Sequence, residues 1–264
     1  MSEIVFMIHG MWGGPWCWTN YRGLLEQEGY RCMAPVLRFH DMDPHEQPDP
    51  LLGTTGLLDY ADDLEREIRQ LDEKPVLMGH SMGGLLAQIL AGRGLAKALV
   101  LLAPAAPAGI LALKPSVMKC FRSVLTTWGF WKKPMRLTFR EAVYAMFHLL
   151  SPREQQEAYG KLVYESGQAA CEIGFWFLDP KQAARVDETT VTCPVLVVGA
   201  AQDRITPAAV ARRVAAKYKG ATYKEFDNHA HWITAEPGWQ DSCQHAISWM
   251  RSHAGSAPRN NLLD

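Results

Sequence analysis

The sequence predicts an α/β fold: a mostly parallel sheet flanked by helices, with one helical insertion in the middle of the chain. Three observations predict it. Short apolar runs without alternation recur at 4–8 (Ile-Val-Phe-Met-Ile), 76–79, 98–103 and 193–199, as strands buried on both faces of a parallel sheet require. Helical patterns separate most of these runs, which is the rhythm of strand–helix–strand units. That rhythm lapses between residues 105 and 190, where the chain reads as consecutive helices. The domains follow: 1–104 with 191–253 as the sheet-bearing core, 105–190 as an inserted cap, and 254–264, rich in Gly, Ser, Pro and Asn, as a disordered tail.

The elements can be justified in order. The first run ends at His9-Gly10-Met11-Trp12-Gly13-Gly14-Pro15, whose glycines and proline exclude a regular element and leave backbone N–H groups free to face a ligand. A helix over 20–27 and a strand over 30–34 come next. Prolines and polar residues make 40–56 a long loop. Its His40, Asp41, Asp43 and His45 are unevenly spaced between prolines, so no metal site is carried forward. Leu58, Ala61, Leu64, Ile68 and Leu71 recur at helical spacing with Asp62, Asp63, Glu65 and Arg66 opposite them, a surface helix over 57–71 packed on the sheet. A strand over 76–79, a helix over 82–92 and a strand over 98–103 complete the first half.

In the insertion, helices are expected over 116–128, 139–150, 152–165 and 168–178. Thr138 to Glu141 and Ser151 to Glu154 have the capping-box spacing that starts a helix. Most of its aromatic rings are expected to glue it to the core. The clusters Trp128–Trp131 and Phe175–Phe177 are the candidates to line an apolar pocket. The sheet pattern resumes at 193–199, followed by a helix over 208–217, a strand over 221–226 and a final helix over 239–253.

Composition narrows the function classes. A formal net charge of −1 and the lack of a basic tract give no reason to expect nucleic acid as a partner. The six cysteines are scattered singly, without metal-ligand or redox spacing, as in a reducing compartment. The chain enters a strand within three residues with no leader pattern, and no apolar run is long enough for a membrane span; the expected location is cytoplasmic. Oligomeric state is not legible.

The chemistry concentrates at Gly79-His80-Ser81-Met82-Gly83, the form G-x-S-x-G between a buried strand and a helix. A serine hydroxyl is a poor nucleophile, so it must stand on a sharp turn beside a base and beside donors for the oxyanion. Glycines two residues either side permit such a turn. A base and an orienting acid are needed as well. Asp203 follows the strand at 193–199. His231 follows the next strand, with His229 as a rival base; Asp187 and Asp227 are rival acids outside the Gly-x-x-x-Asp loop that ends at Asp203.

The order Ser81, Asp203, His231, each in a loop after its own strand, resembles the α/β-hydrolase fold family. His9 to Gly14 is similar to its oxyanion loop, Gly79 to Gly84 to its nucleophile elbow, Gly199 to Pro207 to its acid loop, and His231 to Pro237 to its catalytic-histidine segment. The likeness covers the sheet residues, about 1–104 and 191–252. It implies that the backbone N–H groups of Met11 and Met82 form the oxyanion hole, that His9 and His80 are structural, and that no cofactor or metal is needed. The run Trp12 to Trp18 resembles the first loop of the branch with plant methylesterases and hydroxynitrile lyases. The expected activity is hydrolysis of a carboxylic ester of a small, mostly apolar substrate through an acyl-enzyme. The alternatives on the same triad are lactone, thioester or amide hydrolysis, carbon–carbon cleavage and perhydrolysis, or a small-molecule receptor with slow turnover.

Overall fold

The computed structural model describes residues 2–112 and 114–253, so the expected tail over 254–264 lies outside the described residues. Its strands are β1 Ile4–Ile8, β2 Arg31–Met33, β3 Val76–His80, β4 Ala98–Leu102, β5 Pro134–Met135, β6 Glu165–Ser166, β7 Val195–Ala200 and β8 Thr222–Phe226. Six of them form one parallel sheet in the order β2-β1-β3-β4-β7-β8, as the apolar runs predict. Pairing runs in register from Ile8 opposite Gly79 to Gly79 opposite Leu101 and Leu102 opposite Val198.

Alternate side chains serve the two faces of this sheet. Phe6, Ile8, Leu77, Leu99 and Val197 are buried under α2 Leu57–Ile68, α3 Met82–Gly92 and α9 Ala208–Ala215. Val5, Met7, Val76, Met78 and Val198 are buried under α1 Thr19–Gln27 and α10 Trp239–His253. Each such side chain contributes about 1.5–3 kcal/mol through its burial, so losing a register by one residue would forfeit both faces together. The chain leaves β1 for β2 on one side and returns to β3 on the other. The loops after β1 and β3 therefore part at a crevice above the strands' carboxyl ends, where ligands bind in open α/β sheets.

The segment between β4 and β7 departs from the expected run of long helices. The helix expected over 116–128 is two short ones, α4 Pro115–Cys120 and α5 Arg122–Thr126, broken at Phe121, whose ring packs on Trp12 at 5.7 Å. The helix expected over 139–150 begins as α6 Phe139–Ala142 and widens into a π-turn at Val143–Phe147. The third, α7 Pro152–Gly160, stops five residues early because Glu165 and Ser166 pair as β6 with β5. The last is α8 Gly167–Gly174 followed by a tight turn at Trp176–Leu178. Both capping boxes form: Ser151 N–H donates to Glu154 at 2.8 Å and Thr138 N–H to Glu141 at 3.0 Å. The loop over 40–56 contains a 3-10 turn at Pro50–Thr54, capped by Asp49, which accepts from Leu51 N–H at 2.8 Å.

Two buried carboxylates tie this segment to the core. Glu172 of α8 accepts from Leu57 N–H at 2.7 Å and so caps the positive end of α2. Glu165 of β6 accepts from Tyr60 Oη at 2.8 Å and from His40 Nε2 at 3.1 Å. His40 Nδ1 donates to the Arg38 carbonyl at 3.0 Å, so both ring nitrogens face acceptors and the ring is an imidazolium. Burial alone would lower the His40 pKa, but the Glu165 carboxylate outweighs it and the pKa is raised. The weighed metal ligand is thus half of an ion pair with a residue far away in sequence. No group of metal-ligating side chains occurs among the described residues.

Candidate active site

Ser81 stands at the turn from β3 into α3 with φ 54° and ψ −122°, a left-handed backbone that an L-residue adopts only under constraint. The two glycines make this turn possible. A Cβ on Gly79 would overlap the Gly83 carbonyl, and one on Gly83 would overlap the carbonyl of Ile8 in β1. On its other side the serine meets the loop after β1, where a Cβ on Gly10 would lie 2.9 Å from Ser81 Cβ. The first loop thus approaches the serine with bare backbone. Met82, as the first residue of α3, carries an N–H with no carbonyl one turn back, and it lines the same cavity as Ser81 and Met11.

The structure brings Ser81, His231 and Asp203 together across more than a hundred residues of chain. Ser81 Oγ lies 3.0 Å from His231 Nε2, and His231 Nδ1 lies 2.7 Å from Asp203 Oδ2. All three side chains are buried. Because Asp203 is an acceptor, His231 donates from Nδ1, which leaves Nε2 bare and facing the serine. The other carboxylate oxygen of Asp203 accepts the N–H groups of Ile205 and Thr206, both at 2.8 Å. Burial on its own would raise the Asp203 pKa. The neighbouring His231 and these hydrogen bonds outweigh it, so the acid is held below its ordinary value and stays ionised.

His229, the rival base, points elsewhere. Its Nδ1 lies 2.9 Å from Glu236 and its ring packs on Phe226. Asp187 is spent on Thr189, at the start of a turn. Asp227 offers its backbone carbonyl to Gln202.

His9 and His80 hold the loops in place. His9 donates from Nδ1 to the Gly10 carbonyl at 2.9 Å and accepts from Leu37 N–H at 3.3 Å, while His80 Nε2 donates to the His231 carbonyl at 2.7 Å. Burial lowers both pKa values to about 3, with His40 adding to the effect at His9 and His231 at His80, so both rings are neutral.

Two contributors escape a reading of the sequence. Thr206 Oγ lies 2.8 Å from Asp203 Oδ2 and 2.9 Å from the Ala103 carbonyl; the spacing Asp203-x-x-Thr206 is the available signal, that of an Asx turn. Glu236 is fully buried and accepts from Ala230 N–H at 2.6 Å, bracing the loop that carries His231. It lies within the His231 to Pro237 segment, but nothing in that run assigns it this bracing role.

Ser81 opens on an apolar cavity with about 930 Å³ of empty space, its mouth included. The segment between β4 and β7 supplies most of the lining, including Val117, Phe121, Leu125, Phe130, Ile173 and Trp176, and no lining residue is charged. Of the two aromatic clusters expected to line it, Phe130, Phe175 and Trp176 do so, whereas Trp128, Trp131 and Phe177 face outward. A smaller recess on the other side of Ser81 is bounded by Gly13, Cys17, Met146 and Trp232.

Fold and site together describe a parallel α/β protein with a strained serine turn at the carboxyl end of its sheet. The chain belongs to the alpha/beta hydrolase family, whose model matches residues 5–239. Methylesterase 8 of Arabidopsis thaliana is 35% identical over 91 residues, 34% of this chain and 32% of that relative's length. Among solved structures, a methylesterase from Arabidopsis superposes with a TM-score of 0.70 at 14% identity, covering 94% of this chain and 99% of its own. An esterase from Thermogutta terrifontis superposes with a TM-score of 0.67 at 22% identity, covering 96% and 90%. At these identities the two superpositions speak to the fold alone. No helix among the described residues is long and apolar enough to cross a membrane.

Proposed function

We propose that the protein is a serine hydrolase that cleaves a carboxylic ester of a small, mostly apolar substrate. The observation that carries this reading is the run of hydrogen bonds from Asp203 Oδ2 through His231 to Ser81 Oγ, at 2.7 and 3.0 Å, ending on an uncharged apolar cavity. Ser81 Oγ attacks the ester carbonyl while His231 Nε2 takes its proton. The N–H groups of Met11 and Met82 hold the oxyanion. His231 returns the proton to the departing alkoxide, leaving an acyl-enzyme, and then draws a proton from water, whose attack releases the acid and restores the serine. Asp203 keeps the imidazole in the required tautomer throughout. Residues 105–190 act as the cap over the 1–104 and 191–253 core. The word methylesterase in the names of the sequence relatives favours an ester over the other bonds this triad could cleave.

The test is labelling with a fluorophosphonate probe, followed by turnover of p-nitrophenyl esters of increasing acyl length. Labelling of the protein, its loss in Ser81→Ala, and rates that rise with acyl length into the medium range are expected. An unlabelled and inactive protein would remove the proposal. Stoichiometric binding of an apolar ester with negligible turnover would support a receptor instead.

A further inference from the structure

Apolar surface is unevenly distributed on this molecule. Of the eight large apolar side chains exposed among the described residues, six belong to the segment between β4 and β7. They are continuous with the cavity. Trp128, 85% exposed, meets Trp131 edge-on at 5.6 Å, and Trp131 meets Phe130 at 5.6 Å. Phe130 in turn meets Phe175 at 6.4 Å, and Phe175 meets Phe177, 53% exposed, at 6.4 Å. Phe130 and Phe175 line the cavity itself, as does Met118 on α4, which is 42% exposed. An aromatic path therefore runs from open solvent to the wall facing Ser81. Exposed rings of this kind lose free energy in water unless something covers them.

Charge indicates what does. Residues 104–140 hold seven Lys and Arg and no Asp or Glu, whereas the remainder of the chain holds 20 basic and 28 acidic residues. Lys114, Lys119, Arg122, Lys132 and Lys133 are exposed on the segment that carries Met118, Trp128 and Trp131, with Lys133 Nζ donating to the Trp128 carbonyl at 2.9 Å, and none of the seven forms a salt bridge among the described residues. Elsewhere ten of the 19 described Lys and Arg side chains are paired with a carboxylate, as Arg38 with Asp63 and Arg93 with Glu65. Indole rings and lysines side by side match the boundary of an anionic bilayer, where the ring sits at headgroup level and the ammonium meets phosphate. A second copy of this chain would bring the same basic segment against itself.

We propose that the cavity mouth docks on an anionic lipid bilayer, with Trp128 and Phe177 at headgroup depth and the unpaired lysines on the lipid phosphates. Apolar molecules dissolved in the bilayer then reach the cavity along the aromatic path without crossing water. This docking does not depend on ester hydrolysis and is measured without turnover.

The experiment is co-sedimentation of the full chain with vesicles of phosphatidylcholine alone and of an equimolar mixture with phosphatidylglycerol. Trp128→Ala and Lys114→Glu/Lys132→Glu are compared with the wild type, their folding checked by circular dichroism and by unchanged thermal melts. The wild type should pellet with the mixed vesicles and not with phosphatidylcholine. The charge reversal should weaken that binding by about 25-fold or more, and Trp128→Ala should abolish the pelleted fraction. The proposal fails if the wild type stays in the supernatant, if both vesicle types bind equally, or if Trp128→Ala binds as the wild type does. A dimer in light scattering that Trp128→Ala dissolves would also overturn it, by making a second copy the occupant.

Discussion

Asp203→Asn tests the tautomer argument with little risk to the fold. In the wild type, Oδ1 of Asp203 accepts two backbone N–H groups at 2.8 Å, and Oδ2 faces His231 Nδ1 at 2.7 Å and Thr206 Oγ at 2.8 Å. An asparagine amide must keep its oxygen on the two N–H donors, so its NH2 group faces His231. The imidazole can then only accept at Nδ1, and its proton moves to Nε2, where it points at the serine hydroxyl. Thr206 turns its proton to the Ala103 carbonyl, already 2.9 Å away, so no buried group loses its partner. The base is lost while the packing stays. A wrong tautomer of this kind costs about 10⁴ in rate, which is about 5 kcal/mol of transition-state stabilisation. The assay is kcat/KM on a p-nitrophenyl ester beside a thermal melt, with the melt expected within a few degrees of the wild type. An Asp203→Asn variant within about tenfold of wild-type kcat/KM would refute both the tautomer argument and the role given to Asp203.

Other perturbations have equally definite outcomes. His231→Ala should abolish fluorophosphonate labelling, whereas His229→Ala should keep it and lower the melting temperature, because it leaves the buried Glu236 without its imidazole; the reverse pattern would exchange the two roles. Gly83→Ala, whose Cβ would overlap a β1 carbonyl, should destabilise the protein by about 4 kcal/mol or more in urea denaturation. Glu165→Ala, which removes the buried acceptor that His40 and Tyr60 share, should cost about 3 kcal/mol or more at neutral pH in the same measurement.

Stability should also fall on acidification. His9 and His80 are held near a pKa of about 3, so below about pH 6.5 the unfolded chain binds two protons that the folded one refuses, a slope of up to about 2.7 kcal/mol per pH unit. His40, with its raised pKa, acts in the opposite sense: its contribution is complete below about pH 6.5 and is lost as pH rises through its folded value. Urea midpoints measured from pH 7 to pH 5 that stay level would contradict the neutral, buried state of His9 and His80.

What the sequence determined by itself is what depends on local periodicity and on residue type at short spacing. The apolar runs set the parallel strands, the glycines around Ser81 set a turn that no other residues fit, and Thr138 and Ser151 set helix starts through bonds three residues long. Strand order within the chain then put Ser81, Asp203 and His231 in loops at one end of one sheet.

Tertiary structure decided what depends on partners distant in sequence. His229 and His231 are nearly equivalent in the chain; only Glu236 on one and Ser81 on the other separate them. His40 read as one more polar residue of a long loop because its partner lies in β6, and the helices expected between β4 and β7 broke where packing on Trp12 and the pairing of β5 with β6 outweighed helical propensity. The cavity belongs to the same class. Which rings face Ser81 and which face solvent depends on how short, irregular helices lie over the sheet, and helical periodicity says nothing about that once the helices are only one or two turns long.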